Sequence, residues 1–152
     1  MIVCIDGNDG TGKTTLIARL KEKYPGVTFQ DRGLPTKTML DQPAEPADLT
    51  VILDCPPTVS HDRLRSAGKD MKELFHTMPA LEYYRGEFLR MARRNAWVVI
   101  DASECVEAVE IRVMDAIETA IAFRKVCLIV KKCLRPLTDL FRQFFNQNGV
   151  KR

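Results

Sequence analysis

Long apolar runs, paired cysteines and clustered histidines are all missing from this chain of 152 residues. No stretch approaches the roughly 20 apolar residues of a membrane-spanning helix, so no transmembrane segment is expected. The apolar run at the N-terminus is too short for a secretory leader and leads directly into a glycine-rich loop. Cys4, Cys55, Cys105, Cys127 and Cys133 are odd in number and contain no Cys-x-x-Cys pair, which argues against a disulfide framework or a zinc site. Cys4 and Cys55 lie inside apolar runs, where cysteine behaves as a small hydrophobe, and a reducing, cytoplasmic compartment is expected. His61 and His76 lack metal-ligand spacing; His61 is expected in solvent, and His76 lies where a loop can close on a phosphate. Repeats and low-complexity segments are absent, and 45% hydrophobic with 28% charged residues suits one globular domain.

Charge is unevenly distributed. From Phe123 onward there are eight basic residues and one acidic residue, Asp139, giving +7 in a total of +3, so the first 122 residues carry −4. The division expected is therefore a mildly acidic body over 1–122, with a lid around 63–78, and a basic extension over 123–152.

Four short apolar runs read as strands: Ile2–Asp6, Val27–Asp31, Thr50–Cys55 and Trp97–Asp101. Helical periodicity separates them over Lys13–Tyr24, Thr58–Ala67, about Met71–Arg94, and Glu104–Ala122. Strands alternating with helices predict an α/β protein with a short parallel sheet, about four strands, flanked by helices in three layers. The proline-rich stretch between Gly33 and Asp48 reads as an irregular connection. In such sheets ligands gather at the carboxyl ends of the strands, and three of the four runs end in aspartate.

Gly7-Asn-Asp-Gly-Thr-Gly-Lys-Thr14 is the full G-x-x-x-x-G-K-[ST] phosphate-binding loop, set between a strand and an amphipathic helix. The motif points to a nucleoside triphosphate held by Gly7, Asn8, Asp9, Gly10, Thr11, Gly12, Lys13, Thr14 and Thr15. Glycines let main-chain N–H groups turn toward the phosphates, and the helix adds the positive end of its dipole. Lys13 would reach the β- and γ-phosphates, and the Thr14 hydroxyl would take a position on Mg²⁺. Asp31 at the end of a strand is a second candidate for Mg²⁺, and Arg32 can bridge transferring phosphoryl groups.

The order of G-x-D-G-x-G-K-T-T, D-R, D-L-T-x-x-L-D-x-P-P, R-x-R-x-x-G and I-D-A-S resembles the thymidylate kinases of the P-loop nucleoside-monophosphate kinase group. Tyr84-Arg85-x-x-Phe88 is similar to a helix motif of that family, and the likeness runs from Met1 to about Ala122. The resemblance implies ATP as donor, Mg²⁺ as cofactor and phosphorylation of a nucleoside monophosphate, dTMP to dTDP. It implies that Asp9 meets the acceptor's deoxyribose hydroxyl, that Arg32, Tyr84 and Arg85 hold the acceptor, and that Asp101-Ala102 flanks adenine. Family members without a basic residue at the loop position of Gly10 carry their catalytic arginines in a lid. Here that lid offers Arg63, Arg65, Lys69 and Lys72, with Arg65 the expected catalytic member beside Lys13 and Arg32. Tyr83, Tyr84 and Phe88 are candidates for stacking the acceptor base or for core.

The departures bear on the acceptor. A second strand with a T-R-E-P-like motif and the helices after it are absent, because Asp31 follows Tyr24 within seven residues. Gly33-Leu-Pro-Thr-Lys-Thr38 stands where the family has an S-S-x-A-Y-Q-like run. Looser base discrimination is expected, and the alternative is an ATP-binding regulatory module or a kinase acting on another small molecule or a nucleic-acid 5′ end.

Beyond the resemblance, Val126, Val130, Leu134, Leu137, Phe141 and Phe144 recur at helical spacing opposite Lys131, Lys132, Arg135 and Arg142, with Pro136 expected to kink or split the helix. The stripe would pack on the body, join a homodimer, or attach to a partner or an anionic surface.

Overall fold

The structure, a computed structural model, describes residues 1–33 and 46–147, with side chains through Val130. Most of the proline-rich connection therefore lies outside the described residues. Four strands form one parallel sheet in the order β2-β1-β3-β4: β1 (Ile2–Gly7), β2 (Thr28–Gln30), β3 (Leu49–Asp54) and β4 (Val98–Asp101). Among the described residues the helices are α1 (Lys13–Lys23), α2 (Pro57–Ser66), α3 (Met78–Asn95) and α4 (Val106–Gln147), with a 3-10 turn at Leu74–His76. The expected α/β architecture is present, with each strand within one or two residues of its predicted bounds.

Alternation along β3 shows how the layers form. Ile52 packs with Phe88 and Ala92 of α3 and with Trp97, whereas Leu53 shares a cavity wall with Leu16 of α1 and Val109 of α4. Successive side chains leave opposite faces of a strand, so α3 covers one face, and α1 with the first part of α4 covers the other. The central strands are apolar throughout because both faces are covered; Val3, Cys4, Ile5, Val51, Ile52 and Leu53 are all fully buried. Glu110 of α4 ties the second layer together, meeting Lys23 at 2.7 Å and Arg19 at 3.3 Å. Among the described residues β2 is the sheet's outer strand beside β1, in keeping with the missing strand-and-helix block.

Two helix boundaries depart from expectation. α3 starts at Met78 rather than Met71, because Pro79 occupies its first turn, the one helical position where a missing N–H costs nothing. The segment before it holds a turn at Gly68 (φ 69°) and the 3-10 turn. α4 neither stops near Ala122 nor divides at Pro136; it continues to Gln147. Proline forfeits one main-chain bond and crowds one carbonyl, a local cost that the bonds on either side withstand. By internal contacts the chain divides into Met1–Ile117 and Glu118–Arg152.

Candidate active site

Parallel strands place all their carboxyl ends at one edge, and the loop from Gly7 to Gly12 crosses it. Gly7 has φ 145°, and a Cβ there would stand 2.4 Å from the Leu53 carbonyl oxygen. Gly10 has φ 79° and lies against α2, where a Cβ would meet the Ser60 carbonyl oxygen at 2.5 Å. This contact explains why the loop carries no basic residue at that position: a side chain has no room. Thr11 closes the turn by donating its hydroxyl to Asn8 O at 2.8 Å, and Asn8 Nδ2 anchors the loop to Leu81 O at 2.6 Å.

Gly12 (φ 91°) is the N-cap of α1, and no side chain caps the helix. The first amides of α1 are therefore open to an anion at the positive end of the dipole. Lys13 is buried and folds back over the loop, its Nζ donating to Gly7 O at 2.8 Å and Asn8 O at 2.9 Å, with Asp9 Oδ1 at 3.7 Å.

Two adjoining cavities open here. One, of about 530 Å³, is bounded by Asp9, Gly10 and Gly12 to Thr15, by Asp31, and by Arg63, Lys69, Glu73 and His76 from α2 and the segment after it. The other, of about 320 Å³, is apolar on its inner side, where Leu16, Leu53, Ala102 and Val109 meet, and it shares Gly12, Thr15 and Arg63 with the first. Arg63 forms the partition. Its guanidinium donates to Ala102 O at 2.7 Å, Ser103 O at 3.0 Å and Glu104 O at 2.9 Å, tying α2 to the β4–α4 loop. Asp101 does not enter the smaller cavity; its Oδ1 accepts from the Ser103 hydroxyl at 2.6 Å and amide at 2.8 Å. Those two bonds, the hydroxyl's foremost, hold the Asp101 carboxyl below the usual range.

The remaining expected residues divide by location. Thr14, Thr15, Asp9 and Asp31 bound the larger cavity, as does His76, which is buried. His76 Nδ1 lies 2.8 Å from Asp70 O, and its Nε2 is 3.9 Å from Asp9. Arg65 is not on the wall: it is exposed and paired with Asp62 at 2.9 Å, whereas Arg63 of the same helix lines the cavity. The reason is helical phase, since two residues turn a side chain by about 200° around the axis. Arg32 also faces elsewhere, bound to Asp6 and lying 4.6 Å from the centroid of the Trp97 ring. Arg85 binds both oxygens of Asp54 at 2.7 and 2.9 Å. Tyr84 packs against Tyr83 and against Phe75, with centroids 5.1 and 5.8 Å away, while Phe88 is core.

Two further carboxylates lie at this edge, neither singled out as a site residue by the sequence. Asp6 at the end of β1 is buried, and Asp54 at the end of β3 receives Arg85. Both carried the signal used for Asp31, an aspartate closing an apolar strand.

Mg²⁺ fits the donor set. Among the described residues no three His, Cys, Asp or Glu side chains are grouped to hold a metal unaided. Thr14 and Asp31, both lining the larger cavity, suit an ion that keeps waters and arrives with phosphate oxygens.

The fold and this edge define the chain structurally as a P-loop kinase-type α/β protein. It is similar to solved structures of deoxyadenosine kinase from M. mycoides. With bound dATP the TM-score is 0.61 at 13% identity, and with bound dCTP 0.62 at 14%, each covering 78% of this chain and 100% of that one. A third, with products dCMP and a flexible dCDP bound, gives 0.60 at 12%, covering 78% and 99%. No protein-family model and no curated protein sequence matches the chain.

Proposed function

We propose that the chain is a kinase that transfers the γ-phosphoryl group of ATP to a deoxynucleoside monophosphate, with dTMP as the leading acceptor. The observation that carries this reading is the pair of cavities meeting at the uncapped start of α1. The smaller, apolar one suits a donor base, and the larger, lined by Lys13, Thr14, Asp31, Arg63 and Lys69, suits a triphosphate.

In the proposed reaction an acceptor oxygen attacks the γ-phosphorus, the bond to the β–γ bridging oxygen breaks, and ADP leaves. Lys13 exchanges its two carbonyl partners for phosphate oxygens, and the α1 amides hold the remaining charge. Thr14 and Asp31 would hold Mg²⁺, which would supply charge neutralisation when bound. Arg63 and Lys69 place cations on the lid side, and Asp9 accepts a hydrogen bond from an acceptor sugar. The finer assignment to dTMP rests on the motif order, from the loop through D-L-T-x-x-L-D-x-P-P to I-D-A-S.

One observation favours a second reading, in which the acceptor is a deoxynucleoside. Arg32, the cation expected to grip an acceptor phosphate, is engaged by Asp6 and Trp97. The structural neighbours are deoxyadenosine kinases. A coupled ADP-release assay with Mg·ATP, run against deoxynucleosides and their monophosphates in parallel, separates the two. Formation of dTDP from dTMP supports the first; transfer to free deoxynucleosides alone supports the second. Tight ATP binding with transfer to neither would leave a regulatory nucleotide-binding module.

A further inference from the structure

The unit Glu118–Arg152 carries a surface that phosphate chemistry does not use. Its described apolar side chains Phe123, Val126, Ile129 and Val130 are exposed, Phe123 at 69%. With 3.6 residues per turn, nearly all apolar residues from Phe123 to Phe145 share an arc of about 160° on the helix. Val126, Val130, Leu137 and Phe144 fall near its centre. Arg124, Lys125, Lys131, Lys132, Arg135 and Arg142 occupy about 120° on the other side. Leu128, Asp139 and Gln143 are the exceptions within the basic arc.

We propose that this helix lies along the surface of an anionic lipid bilayer, with its apolar arc at the headgroup–acyl boundary and its basic arc among the headgroups. Four considerations select this occupant. The net charge of +7 from Phe123 onward complements an anionic sheet. Among the described residues no helix is long and apolar enough to cross a membrane, so the surface orientation is the one available to it. A second copy of the chain fits poorly. It would set +7 beside +7, and Cys127, Ile129, Leu134 and Phe141 flank the seam where a helix pair carries its ion pairs. A nucleic acid would use the basic arc and leave the wide apolar arc in water.

Co-sedimentation of the full chain with vesicles tests this. One set is phosphatidylcholine, the other phosphatidylcholine with phosphatidylglycerol. Binding is expected to the anionic vesicles and to fall as salt rises. Each lysine beside an anionic surface contributes about fivefold in affinity, so Lys131→Gln with Lys132→Gln should weaken binding about 25-fold. Val126→Ser with Val130→Ser should also weaken it, with helix content by circular dichroism verifying that the fold is kept. Equal binding to both vesicle types, or to neither, overturns the proposal. So does a concentration-dependent dimer that Val126→Ser with Val130→Ser abolishes, or binding to duplex DNA that survives that change.

Discussion

Arg32 donates three hydrogen bonds to Asp6, from its main-chain amide at 3.0 Å and from its guanidinium at 2.8 and 2.5 Å. Asp6 is 3% exposed, and the arginine stacks over Trp97, so the pair is withdrawn from water. Arg32 thus ties the start of the β2 exit to β1 immediately before the phosphate loop.

Removing one member of this pair strands the other. Arg32→Ala should lower stability by about 3–5 kcal/mol, because a buried carboxylate loses its counter-charge. Arg32→Lys should recover part of this, since lysine keeps the charge but cannot make the bidentate contact. Urea midpoints check both. A loss under 1 kcal/mol for Arg32→Ala, a value typical of exposed ion pairs, would show that the pair opens in solution.

Lys13→Ala should leave the fold intact and reduce turnover by about 100-fold or more, the usual effect of deleting a transition-state charge contact. Circular dichroism and the ADP-release assay read the two effects separately. Turnover within about threefold of the parent would remove Lys13 from the reaction.

Arg63 and Arg65 give opposite expectations. Arg63→Ala releases three carbonyls of the β4–α4 loop and removes the partition between the cavities, so the KM for ATP should rise about tenfold or more. Arg65→Ala loses an exposed pair with Asp62 and should change KM by less than about twofold. Equal losses for both would show that the lid rearranges on nucleotide binding.

Gly10→Ala should be strongly destabilising. The new Cβ meets the Ser60 main chain at 2.5 Å, and φ 79° is strained for any side chain. Thermal denaturation checks this, and an unchanged Tm would mean α2 can retreat from the loop.

Cys4 supplies a pH signature. Burial foremost, with the Asp6 charge, pushes its thiol up from 9.0 to about 12. The unfolded thiol therefore ionises first as pH rises, and stability falls progressively from about pH 9 toward 12. Cys4→Ala should flatten that limb of the stability–pH curve. At pH 8 an alkylating reagent should modify the exposed Cys105 and spare the buried Cys4 in the native chain.

The phosphate loop, the four strands and the alternation that makes the sheet parallel were legible in the sequence because each is local. Glycine spacing, apolar runs and strand-ending aspartates act over a few residues, and their geometry follows from backbone sterics. Tertiary structure decided which charges face the cavity. Arg63 and Arg65 look alike in a motif, yet helical phase puts one on the wall and the other against Asp62. Arg32 lies two residues past the end of β2 and Arg85 rides a helix, but buried Asp6 and strand-end Asp54 engage them first. Each of these arginines meets an acceptor, carboxylate or carbonyl, that lies far away in the chain: Arg32 meets Asp6, Arg85 meets Asp54, and Arg63 meets the carbonyls of the loop after β4.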